Sequence, residues 1–132
     1  MQGATMPVTL DLNLPPGREA PARARRSLEG LAGTLDPEVL DTLRLLVTEL
    51  VTNSVRHGDL QPTDRIRVSL AEHRDRIRTQ VTDPGASFRT PALLEPDHDR
   101  PSGWGLYLVD QVADRWGVES NHATTVWFEL RS

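Results

Sequence analysis

The stretch ELVTNSVRHG, residues 49–58, decides the interpretation of this chain. It ends a segment that begins at Asp36 and Pro37, an N-cap acceptor followed by a proline suited to a first helical turn. The spacing predicts one helix from there to about His57, ending at Gly58. Its apolar stripe consists of Val39, Leu43, Leu46, Val47, Leu50 and Val51.

Beside that stripe, Glu49, Asn53 and His57 recur at intervals of four and share one edge of the helix. A carboxylate can act as a general base toward a hydroxyl, and an amide oxygen can bind Mg²⁺ without adding charge. The same pattern also suits an ordinary solvated edge on which Glu49 pairs with an arginine. The helix alone does not decide between these interpretations.

Two glycine-containing segments add to the pattern. Asp83-Pro84-Gly85 follows a predicted strand, where the carboxylate can accept a hydrogen bond from a ligand and the glycine allows close approach. Gly103-Trp104-Gly105-Leu106 precedes a predicted helix, where free backbone amides and the helix dipole favour an anion. A plain turn and a flexible loop are the alternatives.

Alternating and helical patterns fill the rest of the chain, in the order strand, helix, helix, hairpin, lid, helix, hairpin. This order predicts an α/β (α+β) two-layer sandwich, in which helices cover one face of a mixed, mostly antiparallel sheet. The domain is expected over residues 9–132, after a tail at 1–8. The expected elements are strands at 9–14, 65–70, 76–81, 118–120 and 125–130, helices at 18–33 and from Leu106 to Trp116 with Gly117 as its cap, and a lid at about 86–102.

Composition narrows the class of protein. With 37% hydrophobic and 26% charged residues, the 132-residue chain is typical of one globular domain. A net charge of −4 argues against general nucleic-acid binding, and no apolar run approaches the roughly 20 residues of a membrane span. The absence of cysteine excludes disulfides and thiol catalysis and suits a reducing compartment. We therefore expect a cytoplasmic protein.

Together the motifs resemble the ATP site of the GHKL superfamily, the histidine kinase-like ATPases. Residues 49–58 look like its N box, 83–85 and 103–117 like its two glycine boxes, and 124–130 like its closing strand. The similarity extends from about residue 9 and is strongest to the short, stand-alone branch that contains anti-sigma-factor serine kinases. It implies the Bergerat ATP-binding fold, with ATP and Mg²⁺ as ligands.

The resemblance also implies residue roles. Glu49 would be the general base that activates a substrate serine or threonine, and Asn53 would bind Mg²⁺ between the phosphates. Asp83 would bond the adenine amino group, with Gly85 making room for the ring. Arg56 and His57 are further candidates for phosphate contact.

At the second glycine box, Gly103 and Gly105, followed by Leu106, would bind the phosphates. Thr125 would help to close the adenine pocket. Ala123 stands where the family usually has glycine, which predicts a tighter pocket floor.

Three functions follow from the resemblance. The chain could be a protein serine/threonine kinase that phosphorylates an anti-sigma-factor antagonist of the STAS type and so regulates transcription. It could instead be an ATP-binding module that sequesters a sigma factor, or a degenerate domain without nucleotide. The resemblance also suggests a homodimer.

Overall fold

The computed structural model describes residues 9–85 and 105–132. The expected tail at 1–8, the lid at 86–102 and Gly103 lie outside the described residues. The elements are β1 (Thr9–Leu14), α1 (Ala20–Leu28) with a 3-10 turn (Glu29–Leu31), α2 (Pro37–His57), β2 (Ile66–His73), β3 (Arg76–Asp83), α3 (Gly105–Val112), β4 (Arg115–Ser120) and β5 (Thr124–Arg131).

The five described strands form one sheet in the order β1-β2-β3-β5-β4, and every neighbouring pair is antiparallel. Burial alternates along β2, β3 and β5, so one face of the sheet is covered and the other is open. Helix α2 contacts both β3 and β5, and α1 and α3 pack against α2. The two-layer sandwich expected from the sequence is confirmed, and the described part of the sheet is entirely antiparallel.

Helix α2 forms where the sequence predicts it, and its ends show why. The Asp36 carboxylate accepts a hydrogen bond from the Glu38 N–H (2.9 Å), and the Gly58 N–H donates to the Ser54 carbonyl (3.0 Å). Burying one aliphatic or Phe side chain contributes about 1.5–3 kcal/mol, so packing rather than helix propensity stabilises this helix. Its buried residues include Leu43, Leu46, Val47, Leu50 and Val51, which join Ile66, Ile77 and Phe128 of the sheet in one core.

The predicted helix from Leu106 to Trp116 is too long. The structure ends α3 at Val112 and places Trp116 in β4, opposite Phe128 of β5. Residues 106–112 keep helical spacing and form the helix. Residues 115–120 instead pair with β5, and this pairing decides their conformation. The apolar spacing of a helix continues through Ala113 and Trp116, so local pattern alone does not separate this segment from a helix.

Gly117 is likewise a strand residue and not a helix cap. It lies opposite Trp127, and an added Cβ would approach the indole Nε1 to 2.7 Å. On the other side, the Arg78 guanidinium lies over the same indole at 4.1 Å from its centre. A glycine is therefore required here so that Trp127 can lie flat on the open face.

This contact predicts that Gly117→Ala destabilises the fold by about 1–3 kcal/mol, because the methyl group overlaps the Trp127 ring. Gly30→Ala is the matched control, since no atom of the residues that the structure describes lies within 4 Å of its added Cβ. Gly30 lies in the 3-10 turn. The control is expected to be neutral or slightly stabilising. Urea unfolding of the three proteins measures both effects, and equal stability of Gly117→Ala and the parent would contradict the packing argument.

Candidate functional site

The carboxylate of Asp83 is the centre of the site. It ends β3 on the covered face of the sheet and is 4% exposed. The Gly85 N–H donates to Oδ1 at 2.7 Å, and the Ser54 hydroxyl of α2 donates to Oδ2 at 2.6 Å. Two donors from different elements thus hold one buried carboxylate.

Burial nevertheless dominates its electrostatics. The pKa of Asp83 lies above its ordinary value because desolvation penalises the ionised form, while the hydrogen bonds from Ser54 and Gly85 oppose this effect. The negative charge of Asp64 raises the pKa further. The site therefore holds a carboxylate that gains from any additional hydrogen-bond donor.

Gly85 is fixed by contacts on both sides. An added Cβ would lie 2.5 Å from the Gly58 carbonyl oxygen and 3.0 Å from the Gly58 Cα, so the turn after β3 touches the end of α2 backbone to backbone. The Thr124 hydroxyl donates to the Gly85 carbonyl at 2.7 Å. No larger residue fits at position 85 without moving one of these backbone segments.

Asn53 is buried beside this arrangement and is 1% exposed. Neither Oδ1 nor Nδ2 has a hydrogen-bond partner among the described residues. A buried amide without partners costs about 1–3 kcal/mol and is expected where a ligand supplies the missing contacts. The amide oxygen is a hard neutral donor, so this residue fits the Mg²⁺ role that the family resemblance implies.

Glu49 lies one helical turn before Asn53 and is half-buried. Burial raises the pKa of Glu49, and the positive charge of Arg56 opposes the rise. The carboxylate also borders a hollow of about 210 Å³ beside α2, whose other lining residues are Arg25, Arg44, Leu45 and Thr48. A larger hollow of about 280 Å³ lies on the open sheet face around Ser69 and Gln80, and it is lined by none of the predicted site residues that the structure describes.

The other predicted site residues have varied positions. Arg56 and His57 are exposed on the last turn of α2. Gly105 is the first residue of α3, and Leu106, which follows it, is fully buried in the core.

The structure does not bring Thr125 into this cluster. Its side chain lies on the open face, where its hydroxyl is 2.9 Å from that of Thr82. Strand alternation instead gives the covered face to Thr124, which pairs directly with Asp83 across β3 and β5. Of the two adjacent threonines, the structure thus places Thr124, and not the predicted Thr125, beside Asp83 and Gly85.

Sequence reasoning missed two residues, Ser54 and Thr124. The phase of the closing strand could have identified Thr124, because Val126, Phe128 and Leu130 alternate with it on the apolar face. Ser54 gave no such signal, since its partner Asp83 is 29 residues away in the chain.

Comparison with known proteins identifies the family of this chain. The sequence model of the histidine kinase-like ATPase domain matches residues 14–130, and the chain belongs to that family. It is 31% identical over 124 residues to the serine-protein kinase RsbW of Listeria monocytogenes serotype 4a (strain HCC23), covering 84% of this chain and 79% of that protein. It is 23% identical over 130 residues to the RsbW of Oceanobacillus iheyensis, covering 89% and 82%.

A solved structure shows the same fold. The crystal structure of the RsbU and RsbW domains of Rv1364c from Mycobacterium tuberculosis superposes with a TM-score of 0.73 at 19% identity. The match covers 94% of this chain and 32% of that one. Within the described residues of this chain, every helix is too short or too polar to cross a membrane.

The raised pKa of Asp83 predicts a pH-dependent effect of Asp83→Asn on stability. In the pH range above 3.8, the ordinary value, folded Asp83 retains a proton that the unfolded chain has lost, so the parent loses stability as pH rises through that range. Asparagine cannot titrate. The difference in unfolding free energy, parent minus variant, is therefore expected to decrease as pH rises.

Urea unfolding of both proteins between pH 4 and 7 measures this difference. A difference that grows with pH would show instead that the two hydrogen bonds outweigh desolvation.

Proposed function

We propose that this chain is an ATP-dependent protein serine/threonine kinase of the anti-sigma-factor type, whose substrate is an antagonist protein. The observation that carries the proposal is the arrangement along α2. This helix presents the half-buried Glu49 and, one turn later, the amide of Asn53, which has no hydrogen-bond partner among residues 9–85 and 105–132. Next to it is the Ser54 hydroxyl, which donates to Asp83. One helix thus carries the proposed general base and the proposed metal ligand, and through Ser54 it contacts the carboxylate that is proposed to bind adenine.

Asp83 binds the adenine amino group in this proposal. Within the described part of the chain, each of its two oxygens accepts one hydrogen bond and keeps further lone pairs for a ligand. Gly85 lets the adenine ring approach the backbone. Thr124, and not Thr125, is the threonine proposed to close this side of the adenine pocket, because its hydroxyl holds the Gly85 carbonyl.

Asn53 would hold Mg²⁺ through its amide oxygen, which has no hydrogen-bond partner among the described residues. When bound, the ion neutralises charge on the phosphoryl group that is transferred. The amides of Gly103 and Gly105 and the side chains of Arg56 and His57 are the proposed phosphate contacts.

Glu49 is the proposed general base. In this proposal the acceptor hydroxyl enters the 210 Å³ hollow beside α2 and gives its proton to the carboxylate. Its oxygen bonds to the γ-phosphorus of ATP while the bond from that phosphorus to ADP breaks and ADP leaves. This step requires the ionised carboxylate, and burial raises the pKa of Glu49. Transfer is therefore expected to become faster as pH rises through that pKa.

The antagonist, of the STAS type, and a sigma factor are the proposed partners, and the protein acts as a homodimer. Similarity to proteins named serine-protein kinase RsbW supports the kinase assignment. A kinase that draws on cellular ATP works in the cytoplasm, in agreement with the cysteine-free sequence.

The central test is Glu49→Gln. The amide is nearly isosteric but cannot accept the proton, so phosphate transfer to the antagonist is expected to fall about 10²–10⁴-fold while the ATP dissociation constant stays the same. Glu38→Gln is the matched control, because Glu38 is exposed in the first turn of the same helix. Radiolabelled transfer and calorimetry on the same preparations give both quantities.

Unchanged transfer by Glu49→Gln would exclude the general-base role. A parent that transfers no phosphate to its antagonist, yet binds a sigma factor tightly, would establish the sequestering module instead.

A second test addresses the metal. Asn53→Ala is expected to weaken binding of Mg²⁺–ATP by on the order of tenfold and to leave adenosine binding nearly unchanged, because the partner of Asn53 is the metal and not the base. Titrating Mg²⁺ at a fixed ATP concentration, with a parallel titration of adenosine, measures the loss of affinity for each ligand. An equal loss for both ligands would indicate damage to α2 and remove Asn53 from the metal site.

A further inference from the structure

The hydroxyl of Ser54 has an unusual partner for a serine inside a helix. Such hydroxyls commonly bond back to the carbonyl one turn earlier, as Thr52 does here to the Thr48 carbonyl at 2.7 Å. Ser54 instead donates across the layers to Asp83 Oδ2 at 2.6 Å, and both residues are 4% exposed. A distance this short is typical of a hydrogen bond to an ionised oxygen.

This bond fixes what Asp83 can offer a ligand. Gly85 occupies one oxygen and Ser54 the other, so the carboxylate plane is held between the turn and α2. Because both groups that contact the carboxylate from the described residues are donors, both of its oxygens act as acceptors. A ligand at this carboxylate must therefore present an N–H or O–H group and not a carbonyl.

We propose that Ser54 is a positioning residue that determines base specificity, because its hydroxyl keeps Asp83 an acceptor that selects a 6-amino purine over a 6-oxo purine. The inference rests on the proposed function of Asp83 and extends it to the choice of nucleotide. A site whose buried acceptor bonds a donor group of its ligand rejects most strongly an analogue that lacks that one group.

Ser54→Ala leaves Oδ2 buried without its protein donor. Burial already raises the pKa of Asp83, so loss of this bond favours the protonated acid. A protonated Asp83 donates to a carbonyl oxygen, which is the group that a 6-oxo purine presents. The variant is therefore expected to bind the wrong base relatively better.

The experiment compares ATP with inosine triphosphate, which carries a 6-oxo group in place of the 6-amino group. Calorimetry on the full chain, with Mg²⁺ present, gives both dissociation constants. We expect the parent to prefer ATP, and Ser54→Ala to lose about tenfold or more in ATP affinity with little loss for inosine triphosphate. Ser54→Thr retains the hydroxyl and is expected to restore the preference.

Two controls separate this role from general damage. Thr79→Val removes a buried hydroxyl without a partner among the described residues, on the same sheet face, and is expected to change neither constant. Thr124→Val removes the bond to the Gly85 carbonyl and is expected to weaken both nucleotides alike.

An unchanged ATP preference in Ser54→Ala, with Asp83→Asn losing it, would overturn the role of Ser54 and leave the proposed function intact. Equal weakening of both nucleotides by Ser54→Ala would also overturn it, since that is the signature of a structural role alone. A parent that does not distinguish the two nucleotides would remove Asp83 from the base site, and the inference would fall with it.

Discussion

A carboxylate buried between a helix and a sheet must be met by donors, and the contacts around Asp83 follow from that requirement. The Ser54 hydroxyl comes from α2, the Gly85 amide from the turn after β3, and Thr124 of β5 secures that turn through the Gly85 carbonyl. Each of these groups belongs to a different element. The ionisable group thus ties helix, turn and strand together at one end of the core, and its own desolvation is the cost of that arrangement.

Helix α2 combines stability and chemistry in one segment. Its Leu and Val residues fill the core, whereas Asn53 is equally buried but has no partner among the described residues. The large apolar face can offset the cost of an unsatisfied amide, because each buried aliphatic side chain contributes about 1.5–3 kcal/mol. A helix anchored in this way also keeps Glu49 and Asn53 at a fixed separation of one turn.

Local signals predicted most of the fold. The Asp36-Pro37 start and the Gly58 end gave α2 its bounds, and the alternation of Ile66, Val68 and Leu70 gave β2. Long-range pairing decided the rest. Trp116 lies in a strand because β4 pairs with β5. The alternation of β5 places Thr124, and not Thr125, on the covered face opposite Asp83. Ser54 contacts Asp83, which is 29 residues away in the chain. None of these outcomes is contained in a short window of sequence.

The backbone contact between Gly58 and Gly85 constrains how such a site can diverge. The Cβ of any other residue at position 85, polar or apolar, would lie 2.5 Å from the carbonyl oxygen of Gly58. Natural variation here is therefore limited by space and not by chemistry, in contrast to Ser54, where a change of one atom alters the hydrogen bonding of Asp83. A substitution among the surrounding side chains changes which groups face this turn, whereas at position 85 there is no room for a side chain beside the backbone of Gly58.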